Sequence, residues 1–197
     1  MPKHKSSDNE THTRLLDIAE ALFAKRGLAT VKLREIADAV GIHHASLYYY
    51  VPGGKEQLYV EVMERNALRH RRGLTAALEE AEDDLRAKLY AVAAWLISQT
   101  PLNAAGMAYS DLPSLTPAHA ERIARLSYEA LCTPIAAALE SYRDHLALGD
   151  LNEAAMILAS LVQSAHLIPD DQLTLAQSRV QIAQRYVEML LNGWIKR

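Results

Sequence analysis

At 197 residues the chain has room for one or two domains, and with half of its residues apolar and 23% charged it is not a disordered polymer. One cysteine, Cys132, excludes an intrachain disulfide and suits a reducing compartment. The net charge of −3 does not point to nucleic acid by itself, yet residues 1–55 hold eight Lys or Arg against six Asp or Glu, while the remainder is net acidic.

Leu and Ala dominate, and Val, Ile, Thr and Phe are sparse, so the expected fold class is all-α. Residues 1–10, MPKHKSSDNE, read as a polar, mobile tail. A first helix is expected from Thr11 to Arg26, with Leu15, Ile18, Ala19, Leu22 and Phe23 on one apolar face and Gly27 closing it. A short helix follows from Leu33 to Val40, with Leu33, Ile36, Ala37 and Val40 inward, and Gly41 breaks it. Another covers His43 to Tyr50 before the Pro52-Gly53-Gly54 turn. Two short helices around a glycine turn match the helix-turn-helix arrangement.

Beyond Glu56 the pattern changes to long helices: Glu56–Glu80, with a bend expected at Gly73, then Asp84–Gln99, ending before Pro101. A short piece is expected over Leu102–Tyr109, then a loop, then a helix from Pro117 to about Leu146, N-capped by Thr116 and kinked at Pro134. Asp150 and Glu153 have capping-box spacing at the head of a helix ending near Pro169. The last helix is expected over Asp171–Asn192, with Thr174 and Gln177 at the same spacing. The domains read as a tail at 1–10, a helix-turn-helix part at 11–55 and a helical part at 56–197.

Within LREIADAVGIHHASLYYY, Ala37, Gly41 and Leu47 are spaced as two closely crossing helices require. The small residue permits the approach, the glycine permits the turn, and the leucine packs back on the first helix. The wider stretch from Arg14 to Glu64, with LLDIAEALFAKRG, LREIADAVGI and SLYYYV in order and followed by a Lys, resembles the N-terminal domain of the TetR family of transcriptional regulators. The resemblance implies an N-terminal three-helix helix-turn-helix domain and a C-terminal helical domain for effector binding and dimerisation. It makes His43–Tyr50 the recognition helix in the major groove of double-stranded DNA. His43, His44, Ala45, Ser46 and Tyr49 then face base edges and neighbouring phosphates, Arg34 reaches DNA from the preceding helix, and Tyr48, Tyr50 and Lys55 grip phosphates. Phosphate contacts fix register, and base contacts read sequence. Three consecutive tyrosines cannot share one helix face, so at least one must be exposed, whereas others can serve as packing. Lys32 and His43 stand where the family often has a capping Ser or Thr, and the PGGK turn is one residue longer than usual. The Arg69-His70-Arg71-Arg72 run reads as a solvated helix face.

The same resemblance implies a homodimer through the last two helices, a palindromic operator and a small-molecule effector. Trp95, Gln99, Met107, Tyr109, Tyr128, Cys132, Gln163 and His166 combine apolar surface with occasional polar groups, as ligand pockets do. No nucleophile elbow, zinc-protease or dinucleotide-binding pattern occurs, and the eight histidines are scattered, so neither an enzyme nor a metal site or cofactor is expected. No apolar run approaches the roughly 18 residues of a membrane span, and no secretory signal pattern heads the chain, so the expected location is cytoplasmic. The competing reading is a helix-turn-helix protein that organises DNA or binds a protein partner without an effector.

Overall fold

The computed structural model describes residues 3–100, 107–173 and 178–196. Among these, the elements are helical, and the one bridge is an isolated antiparallel pair between Leu146 and Ile195. The helices are α1 (Lys3–Thr30), α2 (Leu33–Val40), α3 (His44–Tyr50), α4 (Gly54–Glu80), α5 (Leu85–Ser98), α6 (Pro117–Glu140), α7 (Leu151–Ser164) and α8 (Arg179–Trp194). No described helix is long and apolar enough to cross a membrane.

The chain divides into two compact units, Met1–Asn66 with Leu102–Arg125 and Ala67–Pro101 with Leu126–Arg197. The boundary expected near Lys55 lies instead within α4, and the first unit takes in a later segment. The cause is apolar burial. Leu58, Tyr59, Val62 and Met63 of α4, with Leu115 and Ile123, join the core formed by Leu15, Ala19, Phe23, Ile36, Val40 and Leu47.

In the first unit α1 starts at Lys3, so the tail expected over residues 1–10 is helical from its third residue. Nothing in KHKSSDNE, free of Gly and Pro, interrupts a helix. Gly27 was expected to close α1 in a left-handed turn. Instead it sits at φ 75°, ψ 162°, a conformation open essentially to glycine alone, and the chain resumes helix to Thr30. That bend aims the Leu28 N–H at the buried Asp111 carboxylate, 2.8 Å away. Asp111 lies in a single π-helical turn, Met107–Asp111, and its second oxygen accepts the Tyr59 hydroxyl at 3.1 Å. Burial first, and the Asp111 charge second, push the Tyr59 phenol far above its ordinary pKa. The segment after α5 is thereby tied to α1 and α4 inside the first unit. Residues 102–106 of the short helix expected there lie outside the described residues.

In the second unit α5, α7 and α8 pack on one another around Leu89, Val92, Leu96, Ala155, Leu158, Val162, Ala183 and Val187. Three helix starts carry their own caps. Asp84 accepts from Ala87 N–H at 2.9 Å, Asp150 from Asn152 N–H at 2.8 Å and Ser178 from Gln181 N–H at 3.2 Å. The Thr174–Gln177 box expected for the last helix lies outside the described residues, and the helix is capped by Ser178 with Gln181 reaching back to the Ser178 N–H. The helix expected to reach Leu146 stops at Glu140, and a 3-10 turn covers Arg143–His145. Pro134 lies inside it and leaves the Ala130 carbonyl without its usual donor. Gly73, expected to bend α4, lies within continuous helix, where a Cβ would come within 1.9 Å of the Trp95 ring. Its absent side chain makes room for an indole.

Candidate nucleic-acid interface

α2 and α3 form the helix pair. α2 has no side-chain cap from Lys32; Glu35 substitutes by accepting the Lys32 N–H at 3.1 Å. That backbone donor, then Arg26, holds the Glu35 carboxyl below the usual carboxylate range. At the other end Gly41 takes φ 80°, ψ 33°, giving its N–H to Asp38 O at 3.2 Å while Ile42 N–H reaches Ala37 O at 3.0 Å. This is a Schellman closure, and the left-handed residue at its centre is the one the turn requires to be glycine. The Arg14 guanidinium donates to Val40 O and satisfies another terminal carbonyl. Ala37 is fully buried beneath the crossing, and Leu47 of α3 packs into the same core.

α3 is seven residues long, and His43 caps it through the backbone alone. Fixing Leu47 inward turns the rest of the helix outward. His43, His44, Ala45, Ser46, Tyr48 and Tyr49 are exposed, and Tyr50 is half-buried. Tyr49 is the most open at 72% exposure. Tyr48 meets the His44 ring edge-on at 5.5 Å, and Tyr49 meets Tyr50 edge-on at 5.2 Å. Arg34 is exposed on α2. One helix and the residue before it thus gather hydroxyls, imidazoles and aromatic edges on one accessible face, a set able to meet both base edges and phosphate oxygens.

Lys55, expected at a phosphate, is engaged within the protein. Its ammonium donates to Leu28 O at 2.9 Å and Val31 O at 3.2 Å, with Ala29 O at 3.5 Å, so it neutralises the carbonyl end of α1. The longer turn explains the placement. Gly54 at φ 69° starts α4 directly and brings Lys55 over the α1–α2 junction. One residue later Glu56 accepts from Thr116 N–H and His119 Nδ1, at 2.7 and 2.8 Å. Those bonds, the backbone one first, lower its pKa.

The eight residues expected to line an effector pocket fall in both units. Met107 and Tyr109 belong to the first unit, and the other six to the second. Tyr109 is 87% exposed and Tyr128 42%. Gln99 caps the end of α5 and donates to Ser98 Oγ at 2.9 Å. Cys132 is buried in the second core, where desolvation raises its pKa. Trp95 and Gln163 are half-buried, and the indole N–H of Trp95 is enclosed without a hydrogen-bond partner. His166 lies 3.5 Å from Leu96 O, and burial lowers its pKa. None of the eight lines the open groove of about 490 Å³ between the end of α6 and the start of α7, which is bordered by Thr133, Glu140, Arg143 and Asp150. Among the described residues no cluster of His, Cys, Asp or Glu has the makings of a metal site.

Residues 15–62 match the family model for bacterial regulatory proteins of the tetR family. The chain is 45% identical over 58 residues to the HTH-type transcriptional repressor KstR2 of Rhodococcus jostii (strain RHA1), a stretch covering 29% of this chain and 28% of that repressor. Over nearly the whole chain the fold is shared with a TetR-family transcriptional regulator from Agrobacterium tumefaciens, with a TM-score of 0.74, 19% identity, and 95% and 99% of the two chains covered. A choline complex of a putative transcriptional regulator from Saccharomonospora viridis is similar too, with a TM-score of 0.69, 19% identity, and 96% and 100% covered. The match to the tetR family of bacterial regulatory proteins is thus carried by the helix-turn-helix segment, residues 15–62, and the all-helical fold that continues it is shared with the solved structures.

Proposed function

We propose that the protein is a DNA-binding transcriptional repressor that acts as a homodimer on a palindromic operator and is released by a small-molecule effector. The observation that carries the reading is the outward face of α3, where Ser46, Tyr48 and Tyr49 are exposed around a buried Leu47. A helix in the major groove needs that division between anchor and readout. In this reading His43, His44, Ala45, Ser46 and Tyr49 meet base edges and adjacent phosphates. Tyr48 and Tyr50 hold phosphates, and Arg34 adds a contact from α2. The repressor role is supported by the similarity to KstR2 across this segment.

Dimerisation is assigned to α7 and α8, which leave Met156, Ile157 and Met189 exposed on helices whose other faces are buried. Apolar side chains on two adjacent helices suit a four-helix contact with a second copy. Effector binding is assigned to the second unit, and the choline complex of a protein with this fold supports a small-molecule site. An effector acts by favouring a separation of the two recognition helices that no longer matches the DNA.

The test uses the duplex that the full-length protein selects from a random pool at fixed salt. Tyr49→Ala is expected to relax preference at one position of each half-site, a base contact being worth roughly 1–3 kcal/mol. An unchanged preference would remove Tyr49 from the readout.

A further inference from the structure

α3 has seven residues and no side-chain cap at either end, so its last turn has little intrinsic hold on its shape. That turn carries Tyr49 and Tyr50. The Tyr50 ring stacks on His12 of α1, with centroids 6.3 Å apart and planes 14° from parallel. The imidazole is itself fixed, because His12 Nε2 lies 3.0 Å from Glu61 Oε2. Glu61 is committed on its other side, where Oε1 accepts from Gln57 Nε2 at 2.7 Å. Gln57 in turn accepts the Gly53 N–H at 2.6 Å, in the turn that directly follows α3. The path therefore leaves α3 at Tyr50, crosses to α1, passes through α4 and returns to the backbone three residues beyond Tyr50. Tyr50 also receives the edge of Tyr49.

We propose that His12 is a positioning residue for DNA recognition, in which its ring, oriented by Glu61, braces Tyr50 and through it sets the direction of Tyr49. The assignment rests on the DNA-binding reading of α3. His12 is 34% exposed and lies outside the buried core, so filling space is not its main contribution. Its two interactions are directional ones, a hydrogen bond to a carboxylate and a ring stack. With neutral His12, Nε2–H is the donor to Glu61, and a protonated ring keeps the same bond.

The experiment measures affinity of the full-length protein for the duplex that the wild type selects from a random pool. His12→Ala is expected to weaken binding roughly three- to ten-fold, the worth of one aromatic pair, and to relax preference at the half-site position that Tyr49 reads. His12→Gln keeps a donor for Glu61 but no ring, and is expected to lose as much. In a Tyr50→Ala background, His12→Ala is expected to add nothing, since the brace then has nothing to hold. Wild-type affinity in His12→Ala or His12→Gln would overturn the proposal. So would an undiminished loss in the Tyr50→Ala background, which would mean that His12 acts on the DNA itself. A wild-type protein that selects no sequence at all would instead defeat the DNA-binding reading, and this inference with it.

Discussion

The two units solve the problem of holding helices together by different means. In the first, α2 and α3 have eight and seven residues, too few to persist on their own. Their ends and those of α1 are held by groups far away in sequence: Arg14 on Val40 O, Lys55 on Leu28 O and Val31 O, and Asp111 on Leu28 N–H. In the second, α5, α7 and α8 have fourteen to sixteen residues, with caps only two or three positions from the capped amide. Their mutual hold is mainly apolar burial, with Glu188 of α8 adding a tie to Arg86 and Tyr90 of α5 at 2.7 and 2.8 Å. A surface that presents side chains to a partner cannot bury them, so around α2 and α3 polar clamps add to what the apolar core holds.

The largest break in this contrast is expected from Asp111→Ala. It strands the Leu28 N–H and the Tyr59 hydroxyl in a buried site, each at a cost of roughly 1–3 kcal/mol, so unfolding free energy should fall by about 2–6 kcal/mol. Asp111→Asn, with one acceptor oxygen in place of two, should recover part of that loss. Denaturant unfolding followed by circular dichroism measures both, and a loss below about 1 kcal/mol in Asp111→Ala would make the tie dispensable.

Lys55→Met comes next. Removing a charged donor from the Leu28 and Val31 carbonyls should cost about 1.5–3 kcal/mol in stability. The salt dependence of DNA binding sharpens the point. If the ammonium stays on the carbonyls, the slope of log affinity against log salt is unchanged, whereas a phosphate contact would lower it by about one.

The smallest effect is expected in the second unit and depends on pH. Burial lowers the pKa of His166 from 6.5, so the folded chain resists protonation that the unfolded chain accepts. The contribution to stability is therefore full above about pH 6.5 and is lost as pH falls through the lowered folded value. Melting temperature against pH should flatten in that window in His166→Gln, and identical profiles would refute the assignment.

The helix-turn-helix was readable because its constraints are local. Ala37, Gly41 and Leu47 each answer to a neighbour within ten residues, and α2 has the expected bounds. The exposure of Tyr48 and Tyr49 also follows from helical geometry alone. What could not be read depends on long-range closure. Asp111 meets Leu28 across 83 residues, and nothing in MAYSD marks it as buried. The contacts of Lys55 with the Leu28 and Val31 carbonyls likewise span 27 and 24 positions. His12 stood at the polar start of an amphipathic helix, and its partners Tyr50 and Glu61 are 38 and 49 positions away. The effector residues are alike only in type, and type does not say which unit a side chain joins, as Met107 and Tyr109 show. The Ser178–Gln181 box, by contrast, has the same three-residue spacing as the others and is legible in the sequence.

The most direct measurement is selection from a random duplex pool by the full-length protein at fixed physiological salt. Enrichment of one palindrome, with half-site centres about 34–36 Å or a whole number of such turns apart, is the result the account predicts. Folded protein that enriches no sequence would contradict it.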